Sequence, residues 1–425
     1  MKNFLDGLAG MLMVSADRAR NRRTLRRIQE ANEQNQGIVR YAPSQIEAFL
    51  DDAAPTGDLL ISGGANAIRV RAVCRAIECA CQQGYSVMVL HAGNSELEQG
   101  LWGYFGGSGV CLVNRGNPVY DPFFGASNGE IARLVVDSSE KGCQVHPAGR
   151  YYLYGISDYI RAYRRLPMCY MFLKCPHLTF LDRVSSAEAK GHITAAEARS
   201  VTSQIMQGEA ERGNIEAFFH TLSLQGAAIL ASKGSASHAV NLVMAANRQQ
   251  VFCVDIQSSS HSLLLNLLLH ETEAVLSQGK KMLVVVDGIN ITASEGLKNY
   301  VRQSGGRNCA LVASDDAYSE FGGSDNDFFA FAGKCSKLIV SKHSSAYSCQ
   351  KISDAIGSYE KQEVTNAYSG STSYFGMWGA GSGQTMNVSV KRENIVKPEE
   401  LQRLEANEVY ILDKYSGQLS YAPIL

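Results

Sequence analysis

Residues 59–73, LLISGGANAIRVRAV, set two glycines between an apolar run and an amphipathic stretch. Strand, glycine-rich turn and helix in that order begin a phosphate-binding loop, because glycine lets backbone N–H groups close around an anion. Laid over G-x-x-x-x-G-K-[ST], the register starts at Gly63 and takes Gly64, Ala65 and Asn66 into the loop. The second glycine then falls on Ile68, the lysine on Arg69 and the Ser/Thr on Val70. Such a loop works with an acidic residue at the end of a second strand, which holds Mg²⁺. The run MLVVVDGIN supplies Asp287, and Gly288 follows where a water-activating carboxylate would stand.

The departures all fall on chemistry. A β-branched Ile68 resists the positive φ that a nest of N–H groups needs. Arg69 keeps the lysine's charge but is wider and differently shaped. Val70 has no oxygen for Mg²⁺, and Gly288 has no carboxylate to orient water. Only Gly63, Gly64 and Asp287 keep the pattern. The expectation is a turn with the outline of a phosphate loop but not its chemistry.

These residues need a scaffold. Eight strand-like runs recur beside helix-like stretches: 58–62, 86–90, 109–113, 251–255, 281–287, 309–314, 337–341 and 409–413. Continuous β-branched runs separated by helices predict a parallel sheet buried on both faces, hence a doubly wound α/β fold. Between 125 and 245 the pattern turns helical, with helices expected within 132–141, 151–166, 185–207 and 214–232. The division expected is a basic amphipathic N-terminal helix (1–44), a first α/β part (45–124), an all-helical insertion (125–245), a second α/β part (246–368), and a Gly/Ser-rich loop with a C-terminal return to the sheet (369–425).

The order of these elements resembles the TraG-type conjugative coupling proteins and the wider FtsK-like DNA-pumping ATPases. NRGNPVYDPF (114–123) follows the third strand, where that family carries an N-P-x-D-P-F-like segment. The helical insertion comes next. LVVVDGIN occupies the place of the family's D-E strand. The segments CSKLIVSKHSSAYSCQKISDAIGSYEKQEV and IVKPEELQRLEANEVYIL resemble two later family segments. The resemblance spans about 45–415 and implies a RecA-like P-loop NTPase sheet that forms oligomers. In RecA-like motors a polar residue after the next strand senses the γ-phosphate; here Ser314-Asp315-Asp316 stands there, and Asp315 would repel that phosphate.

The reading is therefore a catalytically inactive relative, a pseudo-ATPase serving as an assembly or adaptor subunit of a DNA-transfer or secretion system. The alternative is a divergent active ATPase that translocates DNA or protein. No catalytic residue is assigned. Gly63, Gly64, Ala65, Asn66, Arg69, Val70, Asp287 and Asp315 outline a degenerate nucleotide pocket. No cofactor is expected, ATP and Mg²⁺ entering only if the site is still competent, with Asp287 then the metal's holder. The expected partner is a second copy or a related ATPase.

Composition sets the remaining bounds. The 425 residues carry a net charge of −1, so no overall basic excess points to nucleic acid. Six arginines between Arg18 and Arg27 follow a short apolar stretch and suggest a basic helix for nucleic acid or a membrane surface. No run reaches the ~20 apolar residues of a span. The N-terminal stretch lacks the charge order of a signal peptide. A cytoplasmic chain, peripheral at the membrane through that helix at most, is expected. Eleven cysteines without a CxxC pair read as free thiols. His270-Glu271 begins an H-E pair with no histidine at 274, so the zinc-protease motif is absent. Asp255 at a strand end reads as a cap or edge hydrogen bond, and Arg161, Arg164 and Arg165 as a solvated helix face.

Overall fold

The computed structural model describes residues 21–45, 49, 57–258, 260–369 and 383–423. Twelve strands are β1 (Ile38–Arg40), β2 (Leu59–Ser62), β3 (Tyr85–His91), β4 (Val110–Val113), β5 (Val251–Asp255), β6 (Lys281–Asp287), β7 (Asn308–Ser314), β8 (Lys337–Val340), β9 (Ser358–Ser369), β10 (Gly383–Asn394), β11 (Glu408–Asp413) and β12 (Leu419–Pro423). Ten of them form one sheet, in the order β1-β12-β11-β8-β2-β7-β6-β3-β5-β4. Pairing is parallel from β8 through β2, β7, β6, β3 and β5 to β4, whereas β11 runs antiparallel to β8 and to β12. All eight sequence runs become strands of this doubly wound, mainly parallel sheet.

Alternation along each strand explains the two layers. Leu59, Ile61, Val87, Val89, Val285 and Leu311 face one side, where they bury the helix Asn66–Gln82 and the helix Ser95–Gly109. Leu60, Met88, Leu90, Val284, Val286 and Val312 face the other, against the helices Ser262–Ser277, Glu295–Gln303 and Asp325–Lys334. With both faces covered, the strands are apolar throughout, as a parallel sheet requires.

Residues 128–247 are mainly helical, joined to the sheet region by isolated bridges from Tyr120 to Leu230 and Val240. The single helix expected over 185–207 is two, Phe180–Ala189 and Ala195–Gly208, because Gly191 takes a φ of 68° between them. Thr194 and Glu197 restart the second with a reciprocal capping box. Arg161 is not a solvated side chain: its guanidinium donates to Asn128 Oδ1 and to the Ala126 carbonyl.

A helix runs over 21–36 and leaves Arg22, Arg23, Arg26 and Arg27 exposed; Arg18 and Arg20 lie outside the described residues. Its other side meets a long antiparallel ribbon of β9 and β10, through reciprocal bonds between the Asn32 amide and the Gln362 backbone. The Gly/Ser-rich loop expected at 369–383 falls mostly outside the described residues. The ribbon that flanks it was not expected. No helix among the described residues is long and apolar enough to cross a membrane.

Candidate functional site

The parallel register brings the C-terminal ends of the strands level. Ser62 pairs with Ser314 and Val340, and His91 pairs with both Asp255 and Asp287. The helices following β2 and β7 pack on opposite faces of the sheet, so a crevice is expected where those two strands end. Polar side chains of the chain itself fill it.

The strand-to-helix turn holds three residues, Gly63, Gly64 and Ala65, and the helix begins at Asn66. The aligned motif needs a four-residue interior before its second glycine. Here Asn66 and Ala67 are already helical, and Ile68 and Arg69 donate backbone N–H groups to the Ala65 carbonyl. The outline of a phosphate loop is thus cut short. The glycines have another physical reason. Gly63 and Gly64 have φ of +88° and +82°. A Cβ on Gly63 would lie 2.4 Å from His343 Cε1, and one on Gly64 would lie 2.7 Å from Ser341 Oγ. The segment after β8 presses onto the turn. The Gly63 and Gly64 N–H groups donate to the carbonyls of Ser314 and Lys342. The cavity beside the turn, about 20 Å³, has room for roughly one water.

His343 is buried, and burial holds its imidazole below the ordinary range, hence neutral. Its Nδ1–H donates to the Ser341 carbonyl at 2.8 Å, which leaves Nε2 to accept the Ser62 hydroxyl at 2.8 Å. Ser62 Oγ in turn accepts the Ala317 N–H. This Ser–His pair is fully satisfied and closed to solvent.

Asp287 is 3 % exposed and both its oxygens are engaged. Arg69 Nε donates to Oδ1 at 3.1 Å, and Asn94 Nδ2 donates to Oδ2 at 2.6 Å. Asn66 ties the set together: it accepts from Arg69 and from Asn94, and donates to Glu96. A guanidinium therefore stands against the carboxylate where a divalent ion would need to approach. Val70 is buried and points at Gly100 of the neighbouring helix, where a Cβ would come within 2.6 Å of its Cγ1. Gly288 is exposed, with a φ of +62° and open space around it, so a glutamate there would be strained by backbone rather than by crowding. As they stand, these groups do not fit a nucleotide with Mg²⁺.

Of the other expected residues, Asp315 is exposed, its Oδ1 3.2 Å from the neighbouring Ser314 Oγ. Ala65 is exposed at the turn. Asp255 is a loop cap, accepting the N–H groups of Gly93 and Gln257. Four site residues escape a sequence reading. Asn94 carries one signal, as the N-cap of the helix Ser95–Gly109. His343 and His91 carry none. Glu320 accepts the Ser314 hydroxyl at 2.9 Å, and burial together with the Asp315, Asp316 and Asp287 carboxylates raises its pKa. His91 Nδ1 accepts the Asn94 N–H, so its proton sits on Nε2, 3.6 Å from Glu98. The cysteines are not bonded to one another, and burial pushes the Cys74 thiol up to about 12.

No protein-family model matches the chain, and no curated protein matches it. Solved structures do. The conjugative coupling protein TrwBdeltaN70 in its unbound monoclinic form is 13% identical, with 87% of this chain and 84% of that one covered and a TM-score of 0.49. The plasmid coupling protein TrwB in complex with ADP and Mg²⁺ is 12% identical, with coverages of 89% and 86% and a TM-score of 0.45. VirB4 of Thermoanaerobacter pseudethanolicus is 12% identical, with coverages of 70% and 80% and a TM-score of 0.34. The chain is thus similar over most of its length to a conjugative coupling protein, at an identity too low and a superposition too loose to carry that protein's activity across.

Proposed function

We propose that this chain is a non-hydrolysing relative of the DNA-transfer ATPases, an assembly or adaptor subunit whose nucleotide site is closed by its own side chains. The observation that carries the reading is the engagement of both Asp287 oxygens by Arg69 and Asn94. The short turn, the His343 ring against Gly63 and the apolar Val70 support it from three other positions. Loss of the hydroxyl, the loop interior and the in-place carboxylate together removes the electrostatic stabilisation that phosphoryl transfer depends on.

The proposal includes assembly with further copies or with a related active ATPase. It divides the chain as 1–44, 45–124, 125–245, 246–368 and 369–425. It assigns Arg18–Arg27 to an anionic surface, nucleic acid or the face of a membrane.

The second reading, a divergent active ATPase, has Glu320 in its favour: a carboxyl with a raised pKa among the strand ends. One experiment separates them. Calorimetric titration of the full chain with ATP and Mg²⁺, followed by a phosphate-release assay, gives neither saturable heat nor turnover under the first reading. Turnover that disappears in Glu320→Gln and Asp287→Ala would establish the second.

A further inference from the structure

The His270-Glu271 pair has Ala274 where a zinc-protease helix would carry its second histidine. The structure supplies a different partner. Asp137, at the end of the helix Asn128–Ser138, meets His270 and Glu273 of the packed helix Ser262–Ser277. One donor atom from each lies within 4.8 Å of the other two. Glu271 points the opposite way, buried and bonded to the Tyr120 hydroxyl and the Leu242 N–H, so it takes no part.

One of the three spacings, at present a hydrogen bond, suits an ion. His270 Nδ1 and Glu273 Oε1 are 3.3 Å apart. Donors held tetrahedrally at about 2.0–2.1 Å from a metal are about 3.3–3.4 Å from one another. Arg133, one turn before Asp137, donates to Glu273 Oε2 at 2.5 Å. That contact fixes the carboxylate through Oε2 alone; unlike Asp287, whose second oxygen is taken by Asn94, Glu273 keeps Oε1, which meets only the imidazole of the same site. Asp137 and Glu273 are exposed and His270 is half-buried, so an ion has a path in.

We propose that Asp137, His270 and Glu273 form a binding site for one divalent transition-metal ion, with Zn²⁺ the best match and water in the fourth position. An imidazole with two carboxylates suits Zn²⁺, whereas Ca²⁺ and Mg²⁺ take oxygen donors. The ion bridges two helices distant in sequence and staples the helical segment to the helix that lies on the sheet. The site shares no residue with the strand-end crevice, so it stands whatever becomes of the nucleotide reading.

The test is Co²⁺ titration of the chelator-stripped full chain by visible absorption, followed by displacement with Zn²⁺ and thermal unfolding with and without Zn²⁺. The expected result is one equivalent of Co²⁺ with a four-coordinate nitrogen–oxygen spectrum, displaced by Zn²⁺, and a melting temperature raised by Zn²⁺. His270→Ala, a partly exposed position, weakens Co²⁺ by at least about 100-fold, beyond the effect usual for a group behind a ligand. Asp137→Asn weakens it in the same direction, and both variants lose the Zn²⁺-dependent rise. Undiminished binding in both variants, a thiolate charge-transfer band placing the ion on cysteines, or no Co²⁺ uptake by wild type would overturn the proposal.

Discussion

Asp287 is bound to its surroundings from two sides, and the Arg69 side chain that meets it is itself only 11 % exposed. Breaking such a buried pair from one end leaves an uncompensated carboxylate. Arg69→Met is therefore expected to cost about 3–5 kcal/mol in urea unfolding, with part recovered when Asp287→Asn is added. A loss well under about 1 kcal/mol would mean the guanidinium does not lock the strand end. Glu271 gives a pH signature. Burial pushes its carboxyl from the ordinary 4.5 up to about 8. The folded state holds that proton more tightly than the unfolded chain does. The stability it contributes is complete below about pH 4.5 and is lost as pH rises through about 8. His343 and His91, pushed below their ordinary 6.5 by burial, act in the other sense: their contribution is present above that value and lost as pH falls through their lower folded values. Melting temperature against pH should fall on both sides, and Glu271→Gln should remove the alkaline fall while leaving the acid one. Gly63, Arg69 and Asp287 were legible from motif spacing. His343 was not, because its role comes from a segment 281 residues beyond Ser62, to which no spacing rule connects it.

At the scale of elements, the two glycine types in the crevice separate close approach from backbone strain. Gly63→Ala meets both a φ of +88° and a buried ring 2.4 Å from the new Cβ, whereas Gly288→Ala meets only a φ of +62° in open space. Gly288→Ala is expected to cost about 1–2 kcal/mol and Gly63→Ala clearly more, by chemical denaturation of the two variants. Equal costs would show that His343 does not press on the turn. The sheet strands were readable because continuous β-branched runs bounded by turns have one plausible use when helices lie between them. The ribbon of β9 and β10 was not: SYEKQEVTNAYS mixes charges with scattered apolar residues, and none of residues 358–364 is fully buried to impose a period of two. The break at Gly191 lies inside a pattern that is helical on both sides, and its marks are the glycine with positive φ and the T-x-x-E of Thr194 and Glu197.

Across the whole molecule, the strand order places β7 between β2 and β6, so the turn and Asp287 face each other over the end of β7. That arrangement is what a nucleotide would use, and here Arg69, Asn94, His343 and Ser341 occupy it. The fold was legible in the alternation of strands and helices; the filling of its crevice was not, since it depends on side chains from three separate segments, the helix after β2 and the loops after β3 and β8. On the proposed function, this filling excludes a nucleotide. Thermal unfolding of the full chain with and without millimolar ATP and Mg²⁺ tests it most directly. A ligand at a hundredfold excess over its Kd adds roughly 2.7 kcal/mol to the native state. No shift in Tm is expected on adding ATP and Mg²⁺; a clear rise that disappears in Asp287→Ala would show that the crevice still admits the nucleotide.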